Sequence, residues 1–271
     1  MHPFRQVDVF SPAPLLGNPV AVVHDADDLD TEAMQAFAQW TNLSETTFLL
    51  SPTDPDADYR LRIFTPSREL PFAGHPTLGS AHAWLEAGGT PRGEQLVQEC
   101  GAGLVTLQRG DRLAFAAPPL LRDGPVDDHD LVTITDILGI SHDDVVDAKW
   151  IDNGPGWVGV LLDDAREVLA LSPDQGKLDG WDIGVVGPWR DGGSDADAEV
   201  RAFDSFTEDP VTGSLNASLG QWLAGSVLPE EYVAAQGTAI GRRGRVHVRR
   251  DGETVWVGGH TRTTLRGDAE I

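Results

Sequence analysis

Two short stretches set a glycine beside a residue able to hold or move charge, each at the start of a helical run. In "FAGHPTLGSAHAWL" (Phe72–Leu85), Gly74 precedes His75 and Pro76; in "VTGSLNASLGQWL" (Val211–Leu223), Gly213 precedes Ser214. A helix N-terminus carries unpaired backbone N–H groups and about half a positive charge. A glycine at that point lets a ligand come close to the backbone. The spacing reads His75 as an N-cap with Pro76 in the first helical position, where a missing N–H does no harm. Ser214 reads as an N-cap by type. Capping alone would account for either residue taken singly. Their duplicated placement points instead to paired anion-holding mouths, suited to a substrate carboxylate and to enolate charge as it develops.

The duplication covers more than the mouths. Slid along itself by 139 residues, "FTPSRELPFAG" (Phe64–Gly74) falls on "FDSFTEDPVTG" (Phe203–Gly213). Phe64 then meets Phe203, Glu69 meets Glu208, Pro71 meets Pro210 and Gly74 meets Gly213. The helical runs that follow place Leu78, Ala81 and Leu85 on one face, and Leu215, Leu219 and Trp222 on the other run's face. At a shift of 141, "GLVTLQRGDRLAF" falls on "GRVHVRRDGETVW"; both alternate apolar and polar residues around a turn and read as β-hairpins. Earlier strands fit "RQVDVF", "PVAVVH", "TTFLLSP" and "YRLRIF" in one half, and "WVGVLL" and "DIGVVG" in the other. Pro118-Pro119 and the polar "RDGPVDDHD" mark a boundary between halves.

The fold class expected is α+β, with two pseudo-symmetric domains, each a mixed sheet wrapped around a central helix. The first spans residues 1–118 and regains 260–271 if the run "HTRTTLRGD" crosses back; the second spans 119–259. If the domains face each other, both mouths open on one cleft.

Composition narrows the partners. The net charge is −23, from 43 acidic and 20 basic residues; thirty of the acids are Asp, and Lys149 and Lys177 are the two lysines. Such a chain repels nucleic acid and anionic membranes. Molar salt cuts the screening length to about 3 Å and makes this self-repulsion tolerable; the Asp-rich, Lys-poor composition resembles that of proteins from extreme halophiles. The apolar runs are too short to span a bilayer and no signal-type segment opens the chain, so a cytoplasmic protein is expected. The single cysteine, Cys100, excludes internal disulfides and a thiolate zinc cluster. His75 and His82 lie two helical turns apart without a third clustered ligand, so no metal is expected. "GAGLVT" and "NGPGWVG" fall short of a dinucleotide fingerprint, and no cofactor is called for.

"LGNPVAVV", "NLSETTFL", "ELPFAGHPTLG", "EDPVTGSLNASLG" and "QGTAIGRRGRVHV", in that order from about Phe4 to Gly259, resemble the phenazine biosynthesis PhzF-like isomerase family, which shares the fold of diaminopimelate epimerase. The resemblance implies a cofactor-independent isomerase acting on a small carboxylate, often as a homodimer. Its proton-transferring carboxylate would be Glu45. At the head of the apolar run "TTFLL", that acid would be partly desolvated, which raises a carboxyl pKa toward useful values. The resemblance also places Asp209 and His75 on the substrate's polar groups, and Gly74, Gly213 and Ser214 around it, with Ser214 close to the proton path.

The halves are chemically unequal. Related epimerases set a cysteine at each mouth, and neither mouth has one here. Asp209 aligns with Leu70, and the strand pattern around Gly184 offers no acid equivalent to Glu45. One acid that removes a proton and returns it to a neighbouring carbon fits this better than symmetric racemisation. An epimerase using Glu45 and Asp209 as unlike bases and a non-catalytic carboxylate-binding protein are the alternatives.

Overall fold

The computed structural model describes residues 1–204 and 207–271; Ser205 and Phe206, inside the second copy of the repeated segment, lie outside the described residues. In chain order the first half contains β1 (His2–Val9), β2 (Asn18–Val23), α1 (Thr31–Thr41), β3 (Glu45–Leu50), β4 (Tyr59–Phe64), β5 (Glu69–Leu70), α2 (Gly74–Glu86), β6 (Leu96–Cys100), β7 (Gly103–Gln108) and β8 (Leu113–Ala116). Then follow β9 (Arg122–Pro125), α3 (Asp128–Leu138), β10 (Val145–Asp152), β11 (Trp157–Leu162), α4 (Ala165–Ala170), β12 (Asp182–Pro188), β13 (Ala198–Phe203) and α5 (Gly213–Leu223). The chain closes with β14 (Glu231–Gln236), β15 (Gly244–Asp251), β16 (Thr254–Gly259) and β17 (Thr261–Ala269). It divides into two compact units, Met1–Ala116 with Gly258–Ile271, and Ala117–Val257.

The pairing pattern of the first unit recurs in the second. In the first, β1 pairs antiparallel with β2, β2 parallel with β3, β3 antiparallel with β4, β4 parallel with β6, and β6 antiparallel with β7. In the second, β10–β11, β11–β12, β12–β13, β13–β14 and β14–β15 repeat those directions one for one. The outer partner of the leading strand is antiparallel in both: β17 beside β1, with His2 opposite Ala269, and β9 beside β10, with Lys149 opposite Pro125. The polar run after Pro119 is therefore more than a linker, since it holds β9 and the first turn of α3.

The two central helices are buried on nearly every side, not along one stripe as apolar spacing alone suggests. Nine residues of α2 and nine of α5 are buried, whereas Leu85 and Trp222 stay partly exposed. Small residues make this possible, because a helix enclosed all round needs close neighbours. A Cβ on Gly79 would lie 2.3 Å from Val20 Cγ1, so only glycine admits β2 this close. Outside the sheet, α1 packs Met34 and Ala38 against Phe48 and Phe64, and α3 and α4 bring Ile134, Ile137 and Val168 onto Val158, Val160 and Val185. Each fully buried Phe or Met contributes on the order of 1.5–3 kcal/mol.

Matched ion pairs brace the approach to both central helices. Arg62 on β4 grips Glu69 on β5 through two bonds of 2.7 Å. Arg201 on β13, 139 residues later, grips Glu208 through bonds of 2.9 and 2.7 Å. The first Arg lies over Phe64 and the second over Phe203, at 5.0 and 4.8 Å from the ring centres. Arg201 also donates to the carbonyls of Val168 and Leu171, at the end of α4.

Candidate active site

The helix caps fall earlier than the sequence reading has them. Ala73 caps α2 and Thr212 caps α5, so His75 and Ser214 are each the second helical residue and Pro76 the third. The backbone sets this start: the carbonyls of Ala73 and Thr212 already accept from Thr77 and Asn216, at 3.2 and 3.1 Å. Neither cap side chain bonds the helix amides. The surface helices differ, for Asp30, Asp127 and Asp164 cap α1, α3 and α4 with side-chain oxygens. No cap side chain therefore competes with an anion for the first amides of the central helices.

In the first unit the parallel pairing of β2 and β3 sets Glu45 opposite Val20, at the strand end beneath the mouth of α2. There Glu45 Oε2 lies 3.3 Å from His75 Nε2, with the two side chains 15% and 4% exposed. Among the described residues, Nε2 makes no aligned hydrogen bond in this position. The Asn18 side-chain nitrogen lies 3.3 Å from the other ring nitrogen, Nδ1. Burial pushes the His75 pKa down to about 3, against a smaller upward pull from the backbone of Pro19. The imidazole is therefore neutral at pH 7, and its contact with Glu45 is not an ion pair. Glu45 is nearly dehydrated yet reachable, within proton-transfer distance of a polar ring.

In the second unit Asp209 is half-buried and accepts from the Thr212 hydroxyl. Gln236 ties this corner together: its amide donates to the Asp209 carbonyl at 3.2 Å and to Thr212 Oγ1 at 2.9 Å. Its oxygen accepts from the Thr212 amide and from Asn216 Nδ2, at 3.0 and 2.9 Å. Ser214 is held at two points. The Trp157 indole N–H donates to its Oγ at 3.1 Å, and Asn153 Nδ2 donates to its carbonyl at 2.9 Å.

The inequality of the halves has a packing cause. Gly159 stands opposite Gly184 as Val20 stands opposite Glu45, so Gly184 occupies the register position of the acid. A Cβ on Gly184 would lie 2.2 Å from Leu215 Cδ1. Leu215 fills the space in which a second acid would stand. Asn18, Asn153, Trp157, Thr212 and Gln236 were not singled out from the sequence. The one available signal was the shift of 139, which lays Asn18 on Trp157 and His75 on Ser214. Among the described residues no cluster of three or more His, Cys, Asp and Glu is arranged to hold a metal ion. No described helix is long and apolar enough to cross a membrane.

Duplicated α+β units, each enclosing a central helix, define the diaminopimelate epimerase-like fold. The chain belongs to the family described as phenazine biosynthesis-like protein (PhzC-PhzF), whose model matches residues 7–271. It is 38% identical over 296 aligned residues to Antisense-enhancing sequence 1 of Schizosaccharomyces pombe, spanning 100% of this chain and 99% of the relative. It is 36% identical over 265 residues to trans-2,3-dihydro-3-hydroxyanthranilate isomerase of Pseudomonas aeruginosa, spanning 93% and 91%. Among solved structures, a PhzF-family phenazine biosynthesis protein of Enterococcus faecalis superposes with a TM-score of 0.80 at 25% identity, over 100% and 99% of the two chains. Several curated relatives are named isomerases, and the chain stands with them as an enzyme of that class.

Proposed function

We propose that the protein isomerises a small carboxylate by moving one proton within it, without a cofactor, and that Glu45 is the acid–base group. The observation that carries this is the Glu45 carboxylate set 3.3 Å from a buried, neutral imidazole, with a packed glycine at the equivalent place in the other unit. Glu45 takes a proton from carbon, the electron pair enters the conjugated system, and the same carboxyl returns the proton to a different carbon. Nothing is gained or lost, so no redox partner is required. His75 and Asp209 orient the substrate's polar groups. The amides at Gly74 and Gly213, with Ser214, hold its carboxylate and the charge that develops.

Trans-2,3-dihydro-3-hydroxyanthranilate, the compound named for the Pseudomonas relative, is the first substrate to try. Incubation in molar KCl, followed by NMR, is expected to show a double bond displaced. Inversion at a carbon with the unsaturation unmoved would replace this reading with an epimerase. Binding without any proton exchange would replace it with a carboxylate-binding protein.

A further inference from the structure

The bond from Trp157 to Ser214 and the contact between Asn18 and His75 occupy matching places. In each unit the first residue of a strand, Asn18 on β2 or Trp157 on β11, brings a side-chain nitrogen to the second residue of the central helix. The partners are 57 residues apart in both cases, at 3.3 and 3.1 Å. The residue types differ completely between the copies, Asn with His and Trp with Ser. The contact recurs although neither chemical type does.

Resting on the function proposed above, we infer that Trp157 is a positioning residue that makes the Ser214 hydroxyl a hydrogen-bond donor to the substrate's anionic group. An indole nitrogen can only donate, whereas a serine hydroxyl offers one proton and two lone pairs. With the Trp157 N–H on one lone pair, the hydroxyl proton turns away from the indole. Among the described residues Ser214 Oγ has no acceptor for that proton. Trp157 is 4% exposed and Ser214 8%, so water is scarce on the protein side and the proton serves a ligand at the mouth. Asn153 fixes the main chain of Ser214 from its carbonyl side, which leaves the indole to set the side chain.

A double-mutant cycle on turnover of trans-2,3-dihydro-3-hydroxyanthranilate tests this, using the wild type, Trp157→Phe, Ser214→Ala and the pair. Trp157→Phe is expected to raise KM roughly tenfold in the wild-type background. In the Ser214→Ala background the same change is expected to move KM less than about twofold. Equal effects in both backgrounds would make Trp157 mere packing and overturn the inference. A second readout needs neither turnover nor the Phe variant to fold: the Trp157 indole N–H signal of the nitrogen-15-labelled protein should shift on Ser214→Ala. An indole signal left unmoved by that change overturns the inference too. Failure of the wild type to turn over this compound counts against the proposed substrate, and the indole signal then decides the role of Trp157.

Discussion

His75 has a pKa of about 3 in the folded protein, against about 6.5 for an imidazole in an unfolded chain. Folding therefore excludes a proton that the unfolded chain binds, and the sign of the linkage follows. Above about pH 6.5 both states are neutral at this ring and it adds no pH dependence. Below that, the unfolded chain takes up the proton and the folded protein does not, so stability falls as the pH falls, until about pH 3. The slope approaches 1.4 kcal/mol per pH unit, and about 2 kcal/mol is lost by pH 5 from this residue alone. Carboxylates titrate across the same range, so the comparison needed is with His75→Gln. Urea unfolding of both proteins in molar KCl, from about pH 7.5 to about pH 5, isolates the contribution of the ring. The wild type is expected to lose about 2 kcal/mol more than the variant over that interval. Parallel acid limbs would show that the ring is charged or hydrated in the folded protein, and would refute the neutral imidazole on which the site geometry is read.

The remaining expectations concern the frame around the site. Arg201→Gln strands Glu208 in a pair whose side chains are 7% and 9% exposed and is expected to cost about 3–5 kcal/mol in urea unfolding. Arg62→Gln breaks the equivalent pair at 17% and 40% exposure and is expected to cost about 1 kcal/mol or less. Equal losses would mean that burial does not separate the two. Gly184→Ala drives a methyl group into Leu215 and is expected to destabilise by about 1–3 kcal/mol, with a combined Leu215→Ala change costing less than the sum. The thermal midpoint is expected to climb steadily from dilute buffer to molar KCl as the −23 net charge is screened; a flat profile would remove the halophilic interpretation of the composition.

The duplicated architecture was legible because its signals are local. Short apolar runs marked β2, β4 and β11, alternation marked the two hairpins, and the Gly-Pro punctuation before α2 and α5 repeats at one shift. The residues of both mouths were legible for the same reason. Their capping was not, because a helix starts where a backbone carbonyl first accepts, and Ala73 and Thr212 carry no side-chain sign of that. Helices α1, α3 and α4 went unread although Asp30, Asp127 and Asp164 cap them, since in a chain with thirty Asp a single capping Asp does not stand out. The Arg62–Glu69 and Arg201–Glu208 pairs were half visible: the shift of 139 aligns both the arginines and the glutamates, but alignment alone does not say that they meet. Trp157 and Asn18 were hidden for a stricter reason, since their partners lie 57 residues away and the two copies share no residue type.

The most direct test of the central claim is proton NMR of trans-2,3-dihydro-3-hydroxyanthranilate in D₂O and molar KCl, with the wild type beside Glu45→Gln. Gln keeps the shape of the side chain and cannot shuttle a proton, and general acid–base catalysis contributes roughly a hundred- to ten-thousand-fold. Isomerisation by the wild type is expected, with a loss of that order in the variant and substrate still bound. Isomerisation at an undiminished rate by Glu45→Gln would contradict that claim, and the proton would have to be carried by another group.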